Sequence, residues 1–154
     1  MRAFRGGILL LLAVGWLAVA PEVWAGRDLG SSRLPAPTAS ALAGAGEITV
    51  IDVRGAPEWV RSGVPRGAKE VSLYPSPGQT NGNFVKQVLA AVGGDKSPPI
   101  ATICATGARS AVARDILLRA GFTAVYDISE GMFGSTSGPG WLRRGLPVEP
   151  CRSC

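Results

Sequence analysis

Short apolar runs alternate with helix-period patterns along most of this chain. Residues 48–53, 70–73, 99–103 and 123–128 are short runs rich in apolar or β-branched residues and read as strands. Residues 48–53 have the pattern of a strand buried on both sides, and 99–103 also reads as buried. Thr38 is placed to cap a short helix through Ala43, ended by Gly44, and residues 56–61 make another, ended by Gly63 and Pro65. Phe84, Val85, Val88, Leu89 and Val92 recur at helical spacing, with Asn81 or Asn83 as the cap and Gly93-Gly94 as the stop. A further helix is expected over 109–120, with Val112, Ile116, Leu117 and Ala120 as its apolar positions and Gly121 after it. The alternation predicts an α/β fold: an open parallel sheet of about five strands with helices on both faces. No internal repeat interrupts it.

The first 25 residues have a different pattern. Arg2 and Arg5 precede an uncharged apolar run over 8–20, and Val23-Trp24-Ala25 places small residues where signal peptidase reads them. The run is shorter than the ~18–20 residues that span a bilayer. It reads as a signal peptide, with an uncleaved anchor as the alternative. The expectation is an exported protein, periplasmic or secreted, with no stable membrane association after cleavage. Residues 26–37 are a polar, Pro-containing lead-in expected to be loosely ordered. One domain over 38–149 and a tail over 150–154 complete the chain.

Composition narrows the chemistry. The chain is formally +5 and its Lys and Arg are scattered, whereas nucleic-acid binding wants a clustered basic face. No nucleic-acid partner is expected. There is no histidine, which removes Cys-His dyads, Ser-His-Asp triads and His-containing zinc sites. No metal and no cofactor are expected. The Gly-rich stretch 131–140 lacks a complete dinucleotide fingerprint. It leaves the same sheet edge as 99–103 and is expected to form a flexible wall there, with Ser135, Thr136 and Ser137 as substrate contacts and Trp141 as its packing anchor.

The candidate chemistry lies in Cys104-Ala105-Thr106-Gly107-Ala108-Arg109-Ser110, between the 99–103 strand and the 109–120 helix. A cysteine at the C-terminal end of a strand occupies the crevice where open α/β sheets bind ligands. Small side chains and Gly107 let the backbone curl close to the sulfur. N–H groups at the helix start point at whatever the sulfur carries, and Arg109 adds a cation. Helix N-termini and neighbouring Arg are known activators of thiols, and the sequence offers Cys104 no others.

At these residues the chain resembles the small, single-domain rhodanese-like sulfurtransferases, whose active loop reads Cys-x-x-Gly-x-Arg-Ser. Ile51-Asp52-Val53-Arg54, Glu58-Trp59, Gly63 and Gly67-Ala68 resemble the family's Asp-Val-Arg…Glu-Tyr…Gly-His-Ile-Pro-Gly-Ala signature. Gly131, Trp141 and Gly145-Leu146-Pro147-Val148 resemble its closing motif. The chain departs from the family in having Val64-Pro65-Arg66 where His-Ile-Pro is usual. The resemblance implies that Asp52, Arg54 and Glu58 are structural supports, an Arg54–Glu58 pair tying the strand end to the next helix.

The same resemblance implies transfer of a sulfane sulfur from a small anionic donor, thiosulfate or a persulfide, to a thiol or protein acceptor, or to cyanide. A persulfide on Cys104 is the intermediate and ping-pong kinetics the consequence. The expected active form is a monomer. Two alternatives stand beside it. Same-fold phosphatases and arsenate reductases resemble Cys-x5-Arg, one residue longer than here, and use an Asp absent from this loop. A non-catalytic carrier would hold persulfide for a partner. The tail's Cys151 and Cys154 form a disulfide, accept sulfur or electrons from Cys104, or stay unpaired. Export favours the first.

Overall fold

The computed structural model describes residues 32–154. The signal-peptide expectation and most of the lead-in lie outside the described residues.

The apolar runs form a four-stranded parallel sheet. Its strands are β1 (Thr49–Asp52), β3 (Lys69–Glu70), β4 (Ile100–Ile103) and β5 (Val125–Asp127), in the order β3-β1-β4-β5. Thr49 pairs with Ile100 and Asp52 with Ile103, so β1 and β4 end side by side. The expected fifth strand is not in this sheet. β2 (Val64–Pro65) and β6 (Val148–Glu149) make a separate antiparallel pair. The 70–73 run is regular only at its start. Val71 and Leu73 still donate to Asp52 and Val53 carbonyls, at 3.1 Å each, before the chain turns away at Tyr74-Pro75.

The lead-in is fastened where it is described. The Asp127 N–H donates to Ser32 and the Leu34 N–H to Asp127, both at 2.9 Å, which covers the β5 edge. Helix α1 (Ala36–Gly44) begins two residues ahead of Thr38. Pro37 suits a first turn because its missing N–H has no intrahelical partner there. The Ala36 N–H donates to the buried Glu130 Oε1 at 3.1 Å. Residues in the expected spans form α2 (Ala56–Ser62) and α3 (Phe84–Ala91), and α4 (Ala108–Arg119) fills the last.

Each sheet face has its own core. Ile51, Val53 and Ile100 pack with Phe84 and Val88 of α3 and Ala113 and Leu117 of α4. Val50, Ala101 and Ile103 pack with Ala36 and Ala39 of α1, and with Ile128, Met132 and Trp141. Alternate residues of one strand serve opposite faces, as the strand period requires. On α4 the buried positions are Ser110, Ala113 and Leu117, while Val112 is 42% exposed. Small residues let α4 approach the sheet closely, and Thr102 Oγ1 donates to the Ser110 carbonyl at 2.9 Å.

Candidate active site

Cys104 directly follows β4, and its side chain is buried among the α3–α4 core. It is the free cysteine among the described residues. The Gly107 N–H donates to Cys104 Sγ at 3.1 Å, so the loop doubles back over the sulfur. Gly107 is the N-cap of α4 with φ +96°, a region that side-chain-bearing residues rarely adopt. A Cβ there would overlap the Ser129 carbonyl oxygen. The first turn of α4 leaves the N–H groups of Ala108, Arg109 and Ser110 without intrahelical acceptors, at the helix's positive dipole end. Ser110 itself is buried, its hydroxyl donating to the Gly107 carbonyl at 3.0 Å.

The stretch 131–140 does wall the loop, but it is pinned to it. The Met132 N–H donates to the Cys104 carbonyl at 2.8 Å and the Phe133 N–H to the Ala105 carbonyl at 2.9 Å. Gly131, at φ +66°, leaves no space for a Cβ against the backbone of Ala105 and Thr106. Ser135 Oγ donates to the Ser129 carbonyl and accepts from the Ser137 N–H, while Thr136 and Ser137 are exposed. Met132 is fully buried and Phe133 is 40% exposed. Nothing in the residue types of 131–140 marked these two as loop neighbours. Trp141 is the expected anchor, 1% exposed, with its indole N–H donating to the Pro147 carbonyl at 3.0 Å.

The charged supports pair differently from the expectation. Arg54, wholly buried, bonds Asp52 rather than Glu58: its Nε reaches both carboxylate oxygens at 2.9 and 3.1 Å, and Nη2 reaches Oδ2 at 2.7 Å. Its remaining donors go to Ser62 Oγ and the Gly63 carbonyl at 2.7 Å each. A guanidinium has five N–H groups, and one without water must find them acceptors; a single carboxylate cannot take them all.

Glu58 instead turns to the cysteine loop. Arg109 Nη1 and Nη2 donate to its two carboxylate oxygens at 2.7 Å each, a fork-to-fork pair with both side chains about a quarter exposed. The Gly55 N–H adds a third donor at 3.2 Å. The bond from Arg109 holds the Glu58 carboxyl below its ordinary pKa, against partial burial. Glu58 in turn raises the Arg109 pKa, and the nearby Cys104 contributes in the same direction. Arg109 therefore has both terminal nitrogens on a carboxylate, five residues after the sulfur in the chain.

The position that usually carries a histidine has no polar substitute here. Val64 is fully buried in β2 and the Arg66 N–H donates to the Pro147 carbonyl, so the segment binds the closing strand. In the tail, Cys151 and Cys154 are joined in a disulfide beside a cleft of about 460 Å³ lined by Val60, Val148 and Pro150. Cys154 Sγ lies 3.8 Å from the Ala56 carbonyl at the start of α2. Among the described residues no group of three or more Cys, Asp or Glu is placed to hold a metal.

Comparison with known proteins agrees with this geometry. The family model for the rhodanese-like domain matches residues 36–137. An uncharacterized protein of Rickettsia prowazekii, RP600, is 29% identical over 98 residues, which are 64% of this chain and 80% of that protein. The crystal structure of Rv0390 from M. tuberculosis is 27% identical with a TM-score of 0.65, over 77% of this chain and 97% of that one. The solution structure of a polysulfide-sulfur transferase homodimer from Wolinella succinogenes is 30% identical with a TM-score of 0.58, over 78% and 79%. The sheet order, the cysteine loop closing on its own sulfur and the family match lead to one conclusion: this chain belongs to the rhodanese-like family.

Proposed function

We propose that the protein is a sulfurtransferase that moves a sulfane sulfur from thiosulfate or a persulfide donor to a thiol acceptor through a persulfide on Cys104. The observation that carries this reading is the Gly107 N–H, 3.1 Å from Cys104 Sγ, at the head of α4. In the first half-reaction the thiolate attacks the outer sulfur of the donor. The donor's S–S bond breaks, its electron pair leaves with sulfite or a thiolate, and a new S–S bond forms on Cys104. The terminal sulfur then carries the negative charge. Main-chain donors fixed in advance stabilise a charge that develops during reaction, as an oxyanion hole does for oxygen. In the second half-reaction a thiolate removes the sulfur and Cys104 is regenerated.

Two features weigh against phosphate chemistry in this loop. Four residues separate Cys104 from Arg109, and Arg109 is turned to Glu58 by both terminal nitrogens. Export to the periplasm or beyond is part of the proposal. It rests on the pattern of residues 1–25 and accords with a disulfide in the tail, since such bonds persist in oxidising compartments.

Intact-mass measurement on the reduced, folded protein tests the reading. One sulfane equivalent adds about 32 Da, cyanide or a thiol removes it, and Cys104→Ser takes up none. Protein that gains no sulfur from either donor class overturns it, as does turnover of p-nitrophenyl phosphate without sulfur transfer. Release of thiocyanate in steady state, with parallel double-reciprocal lines, is the expected kinetic signature. A persulfide that forms but leaves only to a particular protein would identify a carrier instead.

A further inference from the structure

Arg109 is the one charged side chain in the segment from Cys104 to Ser110. Left free, it would be the natural receptor for a doubly charged donor. It is not free: Glu58 takes Nη1 on one carboxylate oxygen and Nη2 on the other, 2.7 Å in both cases. Arg54, the cation at the end of the neighbouring strand, is wholly buried and bonded to Asp52, Ser62 and Gly63. Glu58 is itself fixed, since it sits in the first turn of α2 and accepts the Gly55 N–H. An incoming donor therefore meets backbone N–H groups, a neutralised Arg109 and a carboxylate close behind it. Main-chain dipoles suit one negative charge; a second has no unpaired cation in the loop and feels Glu58 as repulsion.

We infer that Glu58 sets the charge of the sulfur donor: by occupying Arg109 it makes the loop prefer singly charged sulfane donors over the thiosulfate dianion. The inference rests on the sulfurtransferase reading and assigns Glu58 as a positioning and specificity residue, acting through Arg109. Two donors of nearly the same shape isolate the effect. Thiosulfate and methanethiosulfonate both carry a terminal sulfane sulfur, one with charge −2 and the other with −1. Attack by the Cys104 thiolate breaks the S–S bond of either and forms a new S–S bond at Sγ. The electron pair departs on sulfite in the first case and on methanesulfinate in the second. The total charge is conserved in both.

The test compares kcat/KM for the two donors in the wild type, Glu58→Gln and Glu58→Asp, with cyanide as acceptor. A unit charge several ångströms away in a partly hydrated site changes the interaction with each further charge by about tenfold. The wild type is expected to favour methanethiosulfonate by about that factor, and Glu58→Gln to erase most of the preference, chiefly by lowering KM for thiosulfate. The Gln amide oxygen still accepts the Gly55 N–H, and Glu58→Asp, which keeps the charge, retains the preference. A merely structural Glu58 would change both donors alike. A ratio unmoved in folded Glu58→Gln overturns the inference, and a wild type that favours thiosulfate overturns it even if neither variant folds well enough to compare. Failure of both donors to load Cys104 in the wild type overturns the sulfurtransferase reading itself, and so is distinguishable.

Discussion

Replacing Gly107 by Ala tests whether the loop's curl over the sulfur is held by backbone geometry. Gly107 has φ +96° and ψ −21°, and a side chain in the left-handed region costs about 1–2 kcal/mol. The new Cβ would also overlap the Ser129 carbonyl oxygen. That carbonyl already accepts Ser135 Oγ at 2.8 Å, so it is not free to swing away. Forcing an extra methyl into a packed site adds about 1–3 kcal/mol, giving a total of about 2–5 kcal/mol. Against a typical domain stability of about 5–15 kcal/mol the variant should still fold. Its loop must shift, however, and the Gly107 N–H leaves Cys104 Sγ. Loss of one prearranged donor lowers the rate of the supported step by about 10²–10³. Urea denaturation gives the first quantity, and single-turnover sulfur loading followed by intact mass gives the second. Gly46→Ala is the control: its φ is +71° and nothing stands within 4 Å of the added Cβ, so it isolates the conformational part. A Gly107→Ala protein with the stability of the control and wild-type loading would refute the reasoning.

Other perturbations separate the remaining contributions. Arg54→Met leaves the Asp52 carboxylate buried without its cation and should destabilise the fold by about 3–5 kcal/mol in urea, one of the largest losses from any single side chain. Cys104→Ser should abolish the sulfur adduct while keeping the folded far-UV spectrum, because the hydroxyl can still accept the Gly107 N–H. The Arg109–Glu58 pair has a defined pH sign. Folding lowers the Glu58 pKa, so its contribution is present above the unfolded value of about 4.3 and is lost as pH falls through the lower folded value. Arg109→Gln should therefore be about 1 kcal/mol less stable than the wild type at neutral pH, and the gap should close in acid. Replacing Cys151 and Cys154 together by Ser should change loading of Cys104 little, since their bond closes only a loop of the tail; loss of loading would place the tail in the reaction.

The shape of the cysteine loop was legible because its signals are local. A buried strand, a cysteine, a glycine two residues before an Arg and the start of a helix all fall within a dozen residues, and each restricts the backbone in a known way. That the sheet is parallel was legible from the alternation of runs, though its strand order was not. The charge pairing was not. The family resemblance implied a pair of Arg54 with Glu58, four residues apart. In the structure Arg54 folds back to Asp52 and across to Ser62 and Gly63, while Glu58 meets a residue 51 positions away. Whether a guanidinium is dry, and how many acceptors it must then find, depends on what covers it, and no local spacing carries that. The buried face of α4 was misplaced by a related cause: Ser110 and Ala113 lie innermost because the helix approaches a strand closely, while the larger Val112 faces out.

The two ion pairs acquire a common meaning through α2. At one end of the helix, Ser62 and Gly63 receive the guanidinium that is bound to the tip of β1. At the other, Glu58 receives the guanidinium that follows Cys104 in the loop after β4. β1 and β4 are adjacent and in register to their last residues, so α2 bridges two neighbouring strand ends. The Asp52–Arg54 pair is dry and completely bonded, which makes it costly to break and a poor candidate for adjustment. The Glu58–Arg109 pair is partly hydrated and joins α2 to the loop that carries Cys104. One pair thus fixes where α2 lies, and the other presents a carboxylate from that fixed position. Sequence motifs placed all four residues near the cysteine loop; only the geometry divides them into a buried anchor and a partly hydrated pair, the one through which the proposed donor preference would act.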